Sequence, residues 1–423
     1  MDQAPTHDTA NAPVDATKAV AATPSRDMVP TLRIAVIGGG IGGLAAARAL
    51  RLRGIQATVY EQAVRISEFG AGVVMTPNAM KALRCLGLEE AVQAVAFTPP
   101  AHVARSWRTG RTIDRAPLDG YRGHFGAEFC TVHRGDLQEV LRQTVGDEHI
   151  RVSARCVAVR SDATGAHARF EDGREIEADA VIGADGIHSA VRTALFGAES
   201  PRFTGNICWR GLVEARRLPP GLTPPEFTLW LGPHGHVVHY YLRRGELLNW
   251  VAITEAKSWT EESWSREGDL AEVKQTFAGW NPRLLDLFDA SERCYKWALY
   301  DREPLLQWGR DRVTLLGDSA HALLPYLAQG AAQALEDACV LAAEVNATPE
   351  NLTGALRRYE QLRIPRTRRI QLGARDRGKQ NHLPSPWARF CRDARLALRR
   401  RFAPNATLHQ AEWIYSYDVA RRE

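Results

Sequence analysis

The stretch that most constrains this chain is residues 32–54, LRIAVIGGGIGGLAAARALRLRG. It predicts a short apolar strand, a glycine-rich turn and an alanine-rich helix that ends at a glycine. Gly38, Gly40 and Gly43 fit the spacing G-x-G-x-x-G, which allows a tight turn and lets the backbone approach a pyrophosphate closely. A second strand, ATVYEQ, then places Glu61 about 20 residues on, where a carboxylate can bind an adenosine ribose. The pattern predicts a dinucleotide-binding domain and leaves NAD and FAD open.

A second glycine turn lies late in the chain, in residues 315–344. A buried strand ends there at Gly317 and Asp318, a loop with Pro325 follows, and a helix opens at Gly330. A helix N-terminus offers unpaired N–H groups and the positive end of a dipole, so it suits an electron-rich or anionic group. We expect a flat, electron-rich ligand at this turn.

Two features between these turns bear on the same domain. The segment FEDGREIEADAVIGADGIHSAVR predicts another apolar strand, which ends at Asp185 and Gly186. A second strand end of this kind indicates a dinucleotide domain larger than that of a simple dehydrogenase. Arg134, just before an amphipathic helix, can bind a phosphate bidentately, although such an arginine is more often part of a surface ion pair.

The texture of the sequence changes at residues 203–300, where tryptophans accumulate in segments that predict antiparallel strands. The buried-strand pattern returns afterwards. We therefore predict an α/β fold in which residues 31–202 and 301–375 form a discontinuous Rossmann-like domain. Residues 203–300 form an inserted, mostly antiparallel sheet for the substrate, and residues 376–423 form C-terminal helices. Residues 1–30 lack a signal-peptide core and are expected to be a flexible extension.

Composition excludes several classes of function. The net charge of +5 is modest, and no long basic run is interleaved with aromatics, so nucleic acid is not expected as a partner. The arginines of 363–369 and 395–401 are interpreted as solvated helix faces. Seven cysteines without a CxxC pair indicate neither a disulfide framework nor a zinc site, and they fit a reducing, cytoplasmic location. No apolar run approaches the roughly 18 residues that span a bilayer.

Three ordered motifs, GGGIGG, GADGIHSAVR and GDSAHALLPYLAQGAAQALEDA, resemble those of the class A FAD-dependent aromatic hydroxylases. The branch with salicylate 1-hydroxylase, 3-hydroxybenzoate 6-hydroxylase and 6-hydroxynicotinate 3-monooxygenase is the most similar. The resemblance runs from about Leu32 to Tyr417. It implies a glutathione-reductase-like fold with non-covalent FAD, and a cycle in which NADH or NADPH reduces FAD, O2 adds to form a flavin C4a-hydroperoxide, and an aromatic carbon is hydroxylated.

The resemblance also implies roles for the motif residues. Gly38, Gly40, Gly43 and Glu61 would hold the ADP half of FAD, with Arg134 near the pyrophosphate. Asp185 and Gly186 would contact FAD and the reduced nicotinamide. Gly317 and Asp318 would lie at the ribityl chain. Gln329 and Gly330 would lie beneath the pyrimidine ring.

His236 and Tyr240 are the predicted catalytic residues. They lie four residues apart on one strand and therefore share a face, whereas His239 faces the other way. A phenol becomes a better nucleophile when it loses its proton, and a histidine suits that transfer. By the resemblance, the two residues match the His and Tyr that related hydroxylases present to the substrate. His234 and His321 are weaker candidates, the latter interpreted as a loop residue at the flavin edge.

Departures from the related enzymes shape the predicted pocket. Val74 and Phe227 stand where the 6-hydroxynicotinate enzyme has polar groups, which argues against a pyridine substrate. Pro325 replaces a glutamine of the 3-hydroxybenzoate enzyme, and Tyr326 is expected to form part of the wall. The best substrate class is a small phenolic acid of the salicylate or hydroxybenzoate type.

Two other functions stay open. One is an FAD-dependent epoxidase or hydroxylase of a larger apolar natural product, and the other is a flavin-binding protein without oxygenase activity. The C-terminal helix either caps the flavin domain or joins a homodimer.

Overall fold

The computed structural model describes residues 32–66, 71–162, 164–257, 267–402 and 406–421, so the expected extension of residues 1–30 lies outside them. The first part of the chain forms β1 (Arg33–Ile37), α1 (Ile41–Arg51), β2 (Gln56–Tyr60), β3 (Gly72–Met75), α2 (Pro77–Cys85), α3 (Glu89–Val95), β4 (Ala101–Ser106), β5 (Thr112–Pro117), α4 (Tyr121–Phe125), β6 (Cys130–His133), α5 (Arg134–Val145), β7 (Ile150–Arg151), β8 (Cys156–Ser161), β9 (Ala166–Phe170), β10 (Glu175–Ala178), β11 (Ala180–Gly183) and α6 (Ala190–Phe196).

The second part forms β12 (Arg202–Glu214), β13 (Phe227–Leu231), β14 (Gly235–Leu242), β15 (Leu247–Glu255), β16 (Glu267–Gly268), α7 (Leu270–Thr276), α8 (Pro282–Asp289), β17 (Cys294–Asp301), β18 (Gly309–Arg310), β19 (Val313–Leu315), α9 (Asp318–His321), α10 (Gly330–Ala347), α11 (Leu352–Asn381), α12 (Pro386–Phe402) and α13 (Ala406–Tyr415). Among the helices described, none is both long enough and apolar enough to cross a membrane.

A six-stranded sheet with the order β18-β19-β11-β1-β2-β7 carries the glycine turns. Its central strands β19, β11, β1 and β2 are parallel neighbours. The residues of β1 from Ile34 to Ile37 are buried, as expected for a parallel strand covered on both faces. Because the carboxyl ends of parallel strands meet at one edge, the turns after β1, β11 and β19 lie side by side there. Helices α1 and α10, which begin at that edge, pack against each other.

The second large sheet has eight strands in the order β16-β17-β12-β15-β14-β13-β4-β5. All its pairs are antiparallel except β13 with β4. Its outer strands β4 and β5 come from residues 101–117, a region that the sequence analysis assigns to the dinucleotide domain. That region is not rich in tryptophan, so its composition did not distinguish it from the dinucleotide domain. The α/β class with a mostly antiparallel second sheet is confirmed, whereas the division into domains stays a prediction.

The two faces of the eight-stranded sheet have different neighbours. On one face Trp209, Trp230 and Trp250 form a core with residues of α7 and α8. The opposite face carries Tyr240, which packs with Val74 of β3. Strand alternation therefore turns one face into a structural core and the other toward the glycine-turn half of the molecule.

The C-terminal region is helical, as expected, but its boundary differs from the prediction. Helix α11 continues from Leu352 to Asn381 without a break at 375, with Pro365 inside it. The chain then turns into α12, and α13 returns to α2, where Lys81 Nζ donates hydrogen bonds to the backbone oxygens of Tyr415 and Ser416. Helix α13 therefore closes back over the glycine-turn half of the molecule.

Candidate active site

The first glycine turn has a backbone that requires glycine at two positions. Gly38 has φ +109°, and a Cβ there would lie 2.3 Å from the carbonyl oxygen of Ala184. A Cβ on Gly43 would lie 1.9 Å from the carbonyl oxygen of Gly38. Gly40, in contrast, caps α1, and a Cβ there would meet no described atom within 4 Å. Two glycines thus let β1, β11 and α1 pack closely, and the third leaves space open in front of the helix.

Glu61 closes the turn from the end of β2. One carboxylate oxygen accepts the backbone N–H of Gly39 at 2.6 Å, and the other accepts the N–H of Ala63 at 2.8 Å. Gln138 of α5 donates its Nε2 to the carbonyl oxygen of Gly39 at 3.0 Å. Glu61 is therefore held beside the turn, and its role at an adenosine ribose stays a prediction. The contribution of Gln138 was missed, because no spacing rule connects it to this turn.

Asp185 and Gly186 make different contacts in the second turn. The Asp185 carboxylate accepts the backbone N–H of Ala190 at 2.8 Å and so caps α6. The N–H of Gly186 donates to Ser319 Oγ at 3.0 Å, which ties this turn to the one after β19. Gly186 has φ +78°, and a Cβ there would meet no described atom within 4 Å. In this motif there is thus open space next to Gly186, whereas the Asp185 side chain holds the backbone of the turn in place.

The third turn places a carboxylate in a cleft. Gly317, with φ +65°, is followed by Asp318 at the start of α9, and the Asp318 side chain is exposed. The surrounding protein desolvates this carboxyl and raises its pKa, while the charges of His321 and Arg134 act in the opposite direction. Arg134 begins α5, so the two predicted cofactor residues lie close enough for their charges to interact across the cleft.

Helix α10 begins at this cleft without a side-chain cap. Gln329 is its N-cap residue and makes no capping hydrogen bond, and the first turn contains no acidic residue. A Cβ on Gly330 would meet nothing within 4 Å in the described part of the chain. Helix α1 begins in the same way at Gly40. Both helices thus present N–H groups and a positive dipole end to open space.

The side chain of Gln329 points into the protein instead. It is 1% exposed, donates to Thr76 Oγ1 at 3.0 Å and accepts from Asn78 Nδ2 at 2.9 Å. Gln329 is therefore placed to contact a ligand through its backbone only, and its side chain anchors the loop to α2.

A buried ionic network lies behind the start of α10. Arg363 donates to Glu336 and Asp337 at 2.7 Å each, and all three side chains are 0% exposed. His321 Nε2 lies 2.6 Å from Asp337. Burial alone would raise the pKa values of both carboxyls, but neighbouring groups outweigh it. Arg363 and Arg366 lower the pKa of Glu336 below its ordinary value. His321 and Arg363 do the same for Asp337.

The network corrects two predictions. Arg363 is not on a solvated helix face, although Arg368 and Arg369 of the same run are exposed. His321 is a buried residue at the end of α9, with Nε2 beside Asp337, and not a loop residue; its position relative to the flavin stays a prediction. A run of arginines does not reveal which of its members faces a buried carboxylate, because that depends on how α11 packs on α10.

This donor set fits a flavin dinucleotide. Two uncapped helix N-termini and Arg134 suit the pyrophosphate and the electron-rich pyrimidine edge of the flavin. A side chain at Gly40, Gly186 or Gly330 would enter open space, so glycine at these positions leaves that space free for a ligand.

Comparison with known proteins agrees with this fit. The family described as an FAD binding domain matches residues 31–372. The chain belongs to this family.

Its relatives are FAD-dependent aromatic monooxygenases. The chain is 41% identical over 390 residues to a 3-amino-4-hydroxybenzoate 2-monooxygenase of Streptomyces platensis, a match that covers 92% of this chain and 96% of the relative. It is 35% identical over 395 residues to a 3-hydroxybenzoate 6-hydroxylase of Klebsiella oxytoca, covering 92% and 98%. The crystal structure of Klebsiella pneumoniae HpxO with FAD and uric acid superposes with a TM-score of 0.83 at 29% identity, covering 90% of this chain and 97% of that one.

The face of the eight-stranded sheet opposite the tryptophan core carries the residues predicted to contact the substrate, and its role in binding stays a prediction. Phe227, Tyr240 and Asn249 lie opposite one another across three strands. The rings of Phe227 and Tyr240 stack at 5.0 Å with an angle of 10° between them. Gly72 reaches this row from β3, where its N–H donates to Asn249 Oδ1 at 2.9 Å. This aromatic wall is therefore joined to the glycine-turn half of the molecule.

Asn249 is a site residue that the sequence analysis missed. It is 0% exposed, and its Nδ2 has no hydrogen-bond partner among the described residues. A buried amide donor without a partner is costly, and a polar ligand would relieve that cost. One signal could have revealed it, since a single asparagine interrupts the apolar strand segment LLNWVAI.

His236 lies on the same face, 5% exposed, and its Nδ1 is 2.8 Å from Nε2 of His382. The Tyr326 ring packs beside both histidines, with its centroid 5.6 Å from that of His236 and 5.7 Å from that of His382. Pro325 is exposed at the start of the turn that carries Tyr326. His239 is also buried, but it faces the core near Trp230, as the strand alternation predicts.

Burial changes how these groups titrate. It lowers the pKa of His236 well below its usual value, and the charge of His382 lowers it further. Burial also raises the pKa of Tyr240 to about 12. At neutral pH His236 is therefore an uncharged imidazole whose Nδ1 contacts His382, and Tyr240 is a neutral hydroxyl.

Proposed function

We propose that this FAD-dependent monooxygenase uses NADH or NADPH and O2 to hydroxylate a small phenolic acid of the hydroxybenzoate or salicylate type. The observation that carries the proposal is the pairing of neutral His236 with an aromatic wall on the sheet face that turns toward the glycine-turn half of the molecule. The relatives named for 3-amino-4-hydroxybenzoate and 3-hydroxybenzoate support a ring of this size.

The cofactor would be held by the residues of the three turns. The backbone of Gly38, Gly40 and Gly43, with Glu61 beside it, would hold the ADP half. Arg134 would neutralise the phosphates, and the N-terminus of α10 at Gly330 would stabilise the negative charge of the reduced flavin. Bound flavin, reduced by the nicotinamide, supplies the activated oxygen.

Asp318 would accept hydrogen bonds from hydroxyl groups of the cofactor. Its carboxylate is exposed in the cleft at the end of β19, beside Arg134. Gly317 at φ +65° and Gly186 at φ +78° would bring the backbone of the neighbouring turns close to the same ligand.

The protein's own task is to orient the ring and remove a proton from its hydroxyl group. The stacked rings of Phe227 and Tyr240 would border the aromatic ring of the substrate on one side, and Tyr326, next to His236, would border it on another. His236 Nε2 accepts the phenolic proton, which makes the ring a stronger nucleophile. Tyr240 Oη and Asn249 Nδ2 donate hydrogen bonds to polar substituents of the ring.

The substrate panel tests the proposal directly. Purified protein with FAD is mixed with NADH or NADPH and with salicylate, 3-hydroxybenzoate, 4-hydroxybenzoate or 3-amino-4-hydroxybenzoate, and product mass is measured beside nicotinamide oxidation. We expect at least one acid to stimulate oxidation and to gain one oxygen atom. No stimulation by any acid, with turnover of a larger apolar phenol, would favour the alternative chemistry.

His236→Ala tests the proposed base, with His239→Ala as the matched control. Both side chains are buried on β14, but only His236 faces the wall. We expect His236→Ala to lower product formation and to divert reduced equivalents to peroxide, with FAD affinity unchanged. A product-to-NAD(P)H ratio equal to that of the wild-type protein would remove His236 from the mechanism.

We also propose a homodimer that involves α12, in a reducing compartment such as the cytoplasm. Trp387, Phe390, Leu398 and Phe402 lie at helical spacing on one exposed face of α12, with Trp387 72% and Phe402 78% exposed. Such a stripe on a helix supports contact with a second copy.

All seven cysteines are described and are free thiols, which supports the proposed reducing compartment. For the proposed dimer, the measurement is the mass in solution. Light scattering should give twice the monomer mass, and Trp387→Ser should reduce it.

A further inference from the structure

The contact between His236 and His382 joins residues 146 positions apart. His382 follows the last turn of α11, where its backbone N–H donates to the carbonyl oxygen of Gly378 at 3.1 Å. Both rings are buried, with 5% of each residue exposed. The Tyr326 ring stands edge-on to His382, at 88°. The helix end, the neighbouring ring and the 2.8 Å contact together give His382 a defined position behind the proposed base.

We propose that His382 accepts a proton from His236 when the substrate hydroxyl group ionises, which makes it the positioning residue of a two-histidine relay. The inference rests on the proposed function, because it assigns an exit to the proton that the hydroxylation of a phenol requires.

The relay requires one of the two tautomers that the 2.8 Å contact allows. In that tautomer, neutral His236 carries its proton on Nδ1 and donates it to Nε2 of neutral His382, so Nε2 of His236 is a free acceptor for the substrate. When the phenol O–H bond breaks, a bond from that proton to His236 Nε2 forms. The Nδ1–H bond of His236 then breaks, and an Nε2–H bond of His382 forms. His236 ends neutral, and His382, protonated on both nitrogens, carries the positive charge until it releases its Nδ1 proton to water.

The surroundings favour charge on His382 over charge on His236. Burial lowers the pKa of His382 to about 4, but Glu255 acts to raise it, and His234 acts in the opposite direction. For His236, burial lowers the pKa first, and the charge of His382 lowers it further. Glu255 ends β15 and binds His234 Nδ1 at 2.8 Å at the surface. Among the described residues, the titratable groups that act on His382 or on the adjoining Tyr326 are Glu255, His234 and Cys208, with Tyr326 itself beside the pair.

His382→Gln separates relay from simple support. The amide oxygen of glutamine can accept the Nδ1–H of His236 and hold its ring, but it cannot bind a proton at neutral pH. In stopped-flow experiments with the oxidised holoenzyme, the absorbance of a bound phenolic acid from the panel reports its ionisation. We expect His382→Gln to slow ionisation at least tenfold, with FAD absorbance and substrate Kd within twofold of wild type. His239→Gln, equally buried on the other face of β14, should leave the rate unchanged.

His382→Ala provides a second test that does not depend on how glutamine packs. Added imidazole should restore the ionisation rate of this variant, because the small base can take the proton from His236. Equal ionisation rates in wild type and His382→Gln, or no rescue of a slowed His382→Ala by imidazole, would overturn the relay while the hydroxylase function stood. A wild-type protein that neither ionises nor hydroxylates any phenol of the panel would overturn both.

Discussion

Gly330→Ala separates the stability of the fold from the binding of the flavin. Gly330 is the first residue of α10, and a Cβ there would meet no described atom within 4 Å. The protein alone should therefore tolerate alanine. A glycine-to-alanine change at a compatible helical position stabilises by about 0.4–1 kcal/mol, mainly because the unfolded chain loses freedom.

The same methyl group would stand where we place the pyrimidine edge of the flavin. If it displaces the ring enough to lose one charge-assisted hydrogen bond, about 1.5–3 kcal/mol of binding free energy is lost. That corresponds to a rise in Kd of about 10-fold to 150-fold. Fluorescence titration of the apoprotein with FAD measures this Kd, and thermal unfolding of the apoprotein measures stability.

Gly123→Ala in α4 is the control, since a Cβ on Gly123 would also meet no described atom within 4 Å. It should match Gly330→Ala in stability and the wild type in FAD affinity. A Gly330→Ala protein with wild-type FAD affinity would show that α10 does not begin against the flavin, and a destabilised apoprotein would show that the open space is not there.

Two further predictions concern the buried ionic network. Arg363→Met leaves Glu336 and Asp337 buried without their main cation and should cost about 3–5 kcal/mol of unfolding free energy in urea denaturation, whereas Arg366→Met, whose partner keeps Arg363, should cost less. Because the folded pKa values of Glu336 and Asp337 lie below the ordinary 4.5 and 3.8, their stabilisation is present above these values and is lost as pH falls through the folded values. The difference in unfolding free energy between wild type and Arg363→Met should therefore become smaller below about pH 4.5. A difference that stays constant down to pH 3 would refute the ion-pair account.

The sequence by itself determined the three glycine turns and, through the resemblance of their motifs to those of FAD-dependent hydroxylases, the cofactor. Gly38 and Gly43 are required by contacts within one strand–turn–helix unit and its neighbouring strand, so their spacing is visible in a single stretch. Period-two alternation likewise put His236 and Tyr240 on one face and His239 on the other. Apart from the contact of Gly38 with Ala184 of the neighbouring turn, these features follow from short-range steric rules, which act between residues close in the sequence.

Only the tertiary structure decided which side chains meet across long separations. His382 meets His236 because the end of α11 packs against β14, and Arg363 is buried because α11 lies on α10. The eight-stranded sheet gained β4 and β5 for the same reason, since strand pairing depends on where distant segments lie. No local pattern encodes such contacts, because burial and pairing are properties of the packed molecule as a whole.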